Sequence, residues 1–137
     1  MSDSRAEDAA AIQGVLVDSY KAWEAGDAEG MVADYTADAT AIMTGSLRDS
    51  RDVIRESMAL AFEGPLKGSS TYNKQLSLRF VGRDAAIVVS ESGILFAGET
   101  EVPDDRRMVN ATWVFEKRDG QWLIAAYHNS PVVAPGP

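Results

Sequence analysis

The spacing of apolar residues changes near Ser69, and this change constrains the fold more than any other feature of the chain. Before it, apolar residues recur at three- and four-residue steps, as in amphipathic helices; after it they alternate, as in strands. The pattern predicts helices at Ser4–Ala25 and Ala28–Thr36, a strand at Ala39–Thr44 and a turn at Gly45–Asp49. A third helix follows, capped by Ser50 and ending near Glu63. Longer strands are predicted at Ser69–Phe80, Ala85–Ala97, Arg106–Lys117 and Gln121–Asn129. Helices segregated from consecutive strands predict an α+β domain, with its helices on one face of a curved, mainly antiparallel sheet.

The turn at Asp119-Gly120 sets the predicted register of the last two strands. Asp-Gly between two apolar strands is a strong signal for a two-residue hairpin turn, and a hairpin turn fixes which residues face each other. One side of the predicted hairpin pairs Lys117 with Trp122, Phe115 with Ile124, Trp113 with Ala126, and Ala111 with His128. The other side pairs Glu116 with Leu123, Val114 with Ala125, Thr112 with Tyr127, and Asn110 with Asn129.

The first side of this hairpin predicts a ligand pocket, because it alternates bulky aromatic residues with small ones. His128 lies there and is the candidate acid–base group; the alternative is a core histidine bonded to a backbone carbonyl. The predicted ligand-binding residues are Tyr20, Trp23, Tyr35, Arg107, Ala111, Trp113, Ala126 and Asn129. For the aromatic residues, the alternative is packing in the core. For Asn129, the alternative is hydrogen bonding to the backbone at the end of the sheet. For Arg107, the favoured alternative is an ion pair with Glu101, Asp104 or Asp105.

The second side of the hairpin is also largely apolar. Val114, Leu123, Ala125 and Tyr127 lie on what would be an outer surface of the sheet. Because apolar patches of this kind commonly mark contacts between subunits, they predict a homodimer.

Composition excludes several classes of function. The net charge of −8, from 21 acidic and 13 basic residues, argues against nucleic-acid and membrane partners, which both need a basic surface. The chain has no cysteine and one histidine, so we expect no metal site and no cofactor. An acidic N-terminus without a signal peptide predicts a cytoplasmic protein. Residues 1–137 are expected to form a single domain, with 131–137 as an extended tail.

Two groups of residues resemble a known family. Trp23 followed by Gly26-Asp27, then Tyr35 with Asp38-Ala39, resembles the opening of SnoaL-like proteins in the NTF2-like superfamily. The segment Ala111–Phe115, the turn at Asp119-Gly120, and Trp122 with Tyr127-His128-Asn129 resemble most closely the SgcJ/EcaC family, some members of which come from enediyne polyketide clusters. The end of the chain is also similar to the association domain of calcium/calmodulin-dependent kinase II, in which the fold serves oligomerisation.

The resemblance implies a cone-shaped NTF2-like fold that encloses a pocket. It also implies a role in secondary metabolism, either binding a polyketide-like polyene or cyclising or isomerising it. The superfamily includes cyclases and isomerases that use a carboxylate base, and no matching aspartate is found here. The alternative is a non-catalytic dimerisation or ligand-carrier module.

Overall fold

The computed structural model describes residues 2–102 and 107–133, without the side chains of residues 2–4. Its elements, in chain order, are α1 (Ser2–Glu24), α2 (Ala28–Met31), β1 (Tyr35–Met43), β2 (Ser46–Arg48), α3 (Arg51–Glu63), β3 (Ser70–Phe80), β4 (Ala85–Leu95), β5 (Met108–Arg118) and β6 (Gln121–Pro131). None of the helices in these ranges is long and apolar enough to cross a membrane. Most of the predicted tail, residues 134–137, lies outside the described residues.

The six strands form one curved mixed sheet in the order β2-β1-β6-β5-β4-β3. All neighbouring strands are antiparallel except β1 and β6, which run parallel. The helices pack on one face of the sheet: α1 contacts β3 and β6, and α3 contacts β1 and β2. The predicted α+β architecture, with helices on one face of a curved sheet, is therefore confirmed.

The segment after α2 differs from the prediction. Asp27 caps α2 by accepting a hydrogen bond from the Gly30 amide at 3.0 Å, but the helix ends at Met31 rather than Thr36. Tyr35 already belongs to β1, where it pairs with Ile124 of β6. Its spacing from Met31 suits a helix face, but pairing with a buried strand outweighs that local preference. The predicted turn at 45–49 also contains a short strand, β2, which pairs with the end of β1.

The hairpin turn forms as predicted. Asp119 and Gly120 both have positive φ angles, 51° and 79°, as the tight type I′ turn requires. The pairs Lys117 with Trp122 and Phe115 with Ile124 are found as predicted.

Beyond Ile124 the predicted register is wrong, because a β-bulge inserts one residue in β6. Ala125 has no partner, and Val114 pairs with Ala126. Since side chains alternate between the two faces of a strand, one extra residue moves every later side chain to the opposite face. Trp113 therefore faces Tyr127 rather than Ala126, and Ala111 faces Asn129 rather than His128.

The inner face of the sheet and the helices enclose the core. Its fully buried side chains include Ile12, Ile54, Val88, Phe115 and Ile124. Asp8 on α1 ties the helix to the hairpin, because its Oδ1 accepts hydrogen bonds from Trp122 Nε1 at 3.0 Å and from Lys117 Nζ at 3.1 Å. These contacts fix the first helix across the concave face and leave a space farther along it.

Candidate functional site

A cavity of about 360 Å³ lies between the inner face of the sheet and the helices. Apolar and aromatic side chains dominate its wall. Contributions come from α1 (Ser19, Tyr20, Trp23), α2 (Met31), β1 (Tyr35, Ala41, Met43), β2 (Arg48), α3 (Ile54, Met58), β3 and β4 (Thr71, Asn73, Ser92, Gly93, Ile94), β5 (Val109, Trp113), β6 (Tyr127, Asn129) and the connecting residues Leu66, Phe96 and Arg107.

Aromatic rings form two groups at this wall. The centroid of the Tyr127 ring lies 4.4 Å from that of Trp113, and Tyr20 meets the Trp113 ring edge-on at 6.4 Å. Trp23 packs edge-on against Phe62 at 5.5 Å, and its indole N–H donates to Ser69 Oγ at 2.9 Å. These interactions hold the rings in place, so the wall is shaped before any ligand arrives.

Three tyrosines bring phenol groups to the cavity. Burial raises the pKa of Tyr20 to about 12, and it also raises the pKa values of Tyr35 and Tyr127. A hydrogen bond from Asn129 Nδ2 to the Tyr127 hydroxyl, 2.8 Å long, partly opposes the shift at Tyr127. All three phenols are therefore protonated at neutral pH and can donate hydrogen bonds to a ligand oxygen.

Arg48 is the most unusual residue of the wall. It is half-buried, and its closest polar contact is the thioether of Met58, with Nη1 3.3 Å from Sδ. Burial lowers the pKa of Arg48, whereas the nearby Tyr35 phenol raises it. No carboxylate of the described residues lies within ion-pair distance of its guanidinium, which nevertheless stays charged at neutral pH.

Arg107 is paired, by contrast. Its Nη2 lies 2.8 Å and 2.7 Å from the two carboxylate oxygens of Glu99, and its guanidinium lies over the Phe96 ring at 4.7 Å. The hydrogen bond from Arg107 is the main reason why the pKa of Glu99 is lowered. An ion pair was the favoured alternative for Arg107, but its partner is Glu99 rather than Glu101; Asp104 and Asp105 lie outside the described residues.

The polar residues on β3 and β4 satisfy one another. Ser92 Oγ donates to Asn73 Oδ1 at 3.0 Å, and Asn73 Nδ2 donates to Thr71 Oγ1 at 2.8 Å. Ser90 continues this chain, with its Oγ 3.3 Å from that of Ser92. This side of the cavity is therefore less available to a ligand than the phenols and Arg48 opposite.

The structure brings six of the sequence-predicted site residues to the cavity wall and leaves three away from it. Those that line the cavity are Tyr20, Trp23, Tyr35, Arg107, Trp113 and Asn129. Ala111 is buried on the inner face but does not reach the cavity, and Ala126 lies on the outer face. His128 is exposed on that outer face, so the geometry gives it no access to a ligand in the cavity.

Among the residues of the wall that sequence reasoning missed, Tyr127 and Arg48 matter most for binding. The bulge turns Tyr127 inwards, away from the surface where a regular hairpin would place it. Arg48 lies in a segment whose turn-forming residues predict a turn rather than the strand β2. No local signal in the sequence marks Arg48 as facing inwards, and no residue of β6 marks the bulge.

The arrangement favours binding by hydrogen-bond donation. Among the residues that the structure describes, the cavity lining contains no carboxylate and no imidazole. No group of three or more potential metal ligands occurs in the described ranges either. The available donors include the neutral phenols and the guanidinium of Arg48, which together suit a ligand that carries hydrogen-bond acceptors.

Comparisons with known proteins agree with this fold. The family model described as a SnoaL-like domain matches residues 12–135. No curated protein matches the chain. A cystatin-like domain of unknown function from Nostoc punctiforme is 25% identical, with a TM-score of 0.84 over 93% of this chain and 79% of its own.

Two structures from Novosphingobium aromaticivorans are also similar. An NTF2-like protein with a cystatin-like fold is 16% identical, with a TM-score of 0.80 over 97% of this chain and 87% of its own. A putative scytalone dehydratase is 19% identical, with a TM-score of 0.79 over 97% of this chain and 89% of its own. At these identities the likeness shows the fold alone, which is the NTF2-like, cystatin-like fold.

Proposed function

Because the chain belongs to the SnoaL-like family, we propose that its cavity binds a small, mostly apolar organic molecule with at least one oxygen acceptor. The observation that carries this proposal is the apolar cavity into which Tyr20, Tyr35 and Tyr127 bring protonated phenols. Apolar walls with a few placed polar groups are the usual composition of small-molecule sites.

The size of the cavity limits the ligand. A volume of 360 Å³ holds about a dozen non-hydrogen atoms, at roughly 30 Å³ for each. At about 0.5 kcal/mol per atom, such a ligand would bind with about 6 kcal/mol, which is a dissociation constant on the order of tens of micromolar.

A polyketide-like polyene is the ligand class that we favour. The resemblance of the closing segment to the SgcJ/EcaC family supports this class, as does the aromatic wall around Trp113. If the protein turns its ligand over, the walls supply positioning, and the phenols stabilise charge that develops on a carbonyl oxygen during cyclisation or isomerisation. The same proposal places the protein in the cytoplasm.

A neutral probe tests the proposal. Decadienamide, a straight-chain dienoic amide with about a dozen non-hydrogen atoms, should quench the fluorescence of Trp23 and Trp113, which both line the cavity. Ala41→Leu, which narrows the cavity, should weaken binding at least fivefold. His128→Ala should leave the affinity unchanged, since His128 is exposed on the opposite face. Absence of saturable quenching of the wild-type protein by this probe and by the dienoic acid of the same chain length would refute the proposal for this size of ligand.

The outer face of the sheet supports a second function, assembly into a homodimer that carries ligand without acting on it. Ile87, Val89 and Val114 are neighbours on this face, and no described helix covers them. Ile42 and Leu47 extend the apolar surface towards the sheet edge. Tyr127, which the sequence placed on this face, is not part of it.

Native mass spectrometry tests the dimer. Val114→Arg should give monomers, because a charge at the centre of an apolar contact cannot be solvated there. Leu60→Arg is the matched control, since Leu60 is an exposed apolar residue on α3, away from this face. A Val114→Arg protein that remains dimeric would show that the subunits meet elsewhere.

A further inference from the structure

We propose that Arg48 binds the carboxylate of the ligand, so that the cavity selects apolar organic acids over neutral molecules of the same shape. This inference rests on the proposed binding function and names the class of ligand. It comes from the position of Arg48 in a mostly apolar wall, because Arg48, unlike the second arginine of that wall, Arg107, pairs with no carboxylate of the described residues.

Strand β2 is inverted relative to the usual pattern of a half-buried strand. Leu47 points outwards and is 66% exposed, whereas Arg48 points inwards and lines the cavity. Arg48 pairs with Ala41 of β1, and Ala41 is itself part of the wall. Exchanging the two side chains would bury the leucine and expose the arginine, which is the arrangement that stability alone favours.

The inward position of Arg48 costs stability unless an anion compensates it. Arg5, Arg55, Arg107 and Arg118 each lie within ion-pair distance of a carboxylate in the described ranges. Among the described residues, the acceptor that Arg48 contacts is the Met58 thioether, which is a weak one. A carboxylate would accept two parallel N–H donors from the guanidinium and complete the pair that the protein itself does not provide.

The surroundings of Arg48 suit an anion. Tyr35 is buried close enough for the charge on Arg48 to influence its pKa, and its phenol is a second donor. Glu99, the partner of the lining residue Arg107, is already held by that arginine. The apolar remainder of the wall, including Ile54 and Trp113, would then hold the hydrocarbon part of the acid.

A matched pair of probes tests this inference. Decadienoic acid is ionised at neutral pH, and decadienamide has almost the same size and shape without the charge. The wild-type protein should bind the acid at least tenfold more tightly than the amide, because a charge-assisted bidentate pair is stronger than a neutral hydrogen bond. In Arg48→Met, which keeps a long apolar side chain, this preference should disappear while the amide still binds.

Arg79→Met is the control, because Arg79 is an exposed arginine that faces away from the cavity on β3. It should retain the preference for the acid. The midpoint of urea unfolding of the ligand-free protein gives a second readout: Arg48→Met should unfold at the same or a higher urea concentration than the wild type. A structural role for Arg48 would instead lower this midpoint.

The outcomes separate the two proposals. Equal affinity for acid and amide in the wild type, or a preference for the acid that survives in Arg48→Met, would overturn the role of Arg48 and leave the binding function intact. If neither probe binds, the proposed function fails for this class of ligand and the assignment of Arg48 fails with it.

Discussion

Two buried alanines on the same strand should respond in opposite ways to the same substitution. Ala39 and Ala41 lie two residues apart on β1, with 0% and 4% of their surface exposed. Ala41 lines the cavity and Ala39 does not. We expect Ala41→Leu to stabilise the ligand-free protein and Ala39→Leu to destabilise it.

The expected changes in the free energy of unfolding follow from the volume of the cavity. Leucine adds three carbon atoms to alanine, or about 90 Å³ at roughly 30 Å³ each, which is a quarter of the 360 Å³ available beside Ala41. Their burial contributes up to about 2 kcal/mol, and the ordering of the side chain removes about 0.5–1 kcal/mol. The net gain for Ala41→Leu is therefore about 1 kcal/mol. At Ala39 the same atoms enter a filled core, where overpacking typically costs about 1–3 kcal/mol.

Urea unfolding of the two variants and the wild type measures this difference, provided that the slope of the unfolding free energy against urea concentration is the same for all three proteins. The result should be accompanied by weaker binding of decadienamide to Ala41→Leu, because the added side chain occupies ligand space. Equal destabilisation of both variants would show that no free volume exists beside Ala41, and the reasoning on ligand size would fail with it.

Two further predictions concern titratable groups. Hydrogen bonds from Trp122 and Lys117 lower the pKa of Asp8, so the stability they provide should be present above about pH 4 and lost as the pH falls through the lowered value. Asp8→Asn should cost about 1–2 kcal/mol at neutral pH and unfold with a weaker acid dependence in urea experiments at several pH values; an unchanged acid dependence would contradict this. Burial raises the pKa of Tyr20 to about 12, and the unfolded chain releases that proton near pH 10, so stability should fall as the pH rises above about 10. Tyr20→Phe should reduce this alkaline loss, and tyrosinate absorbance that reports ionisation of Tyr20 near pH 10 in the folded protein would contradict the prediction.

The sequence was informative where local chemistry determines structure. The turn at Asp119-Gly120 requires positive φ angles that Asp-Gly readily adopts, so it could be located together with the first pairs of the hairpin. Ser50, as the N-cap of α3, is a comparable case: its side chain accepts from the Val53 amide at 3.2 Å. Both features depend on residues that are close in the chain.

Features that depend on distant strands were not predictable in the same way. The bulge at Ala125 lies in a strand with two neighbours, because β6 pairs antiparallel with β5 and parallel with β1, and the pairing with β1 is also irregular there, between Tyr35 and Thr40. A second irregularity in β3, beside Leu76, leaves Tyr72 and Leu76 exposed, although simple alternation placed them on one face with Leu78 and Phe80. Alternation alone cannot reveal an extra residue, because the side chains on each side of it still alternate.

The site residues divide in the same way, into those that local spacing locates and those that depend on strand pairing. Helical spacing was enough to bring Tyr20 and Trp23 to the cavity, because α1 is long and regular. The residues of β6 beyond the bulge were assigned to the wrong faces, which exchanged Tyr127 for His128. Arg48 could be recognised only once β2 was seen to pair with β1 and turn its charged residue inwards.

The position of the bulge determines which side chains of the last strand face the interior. With the extra residue at Ala125, the strand presents a phenol and an amide to the interior, from Tyr127 and Asn129. If the irregularity moved past residue 129, the same sequence would present the imidazole of His128 and the methyl group of Ala126 instead. A protein of this design can therefore acquire acid–base chemistry without a new side chain, through mutations that only relocate a backbone irregularity. Ala41 of the parallel neighbour pairs with Tyr127, so moving the irregularity would also change this pairing.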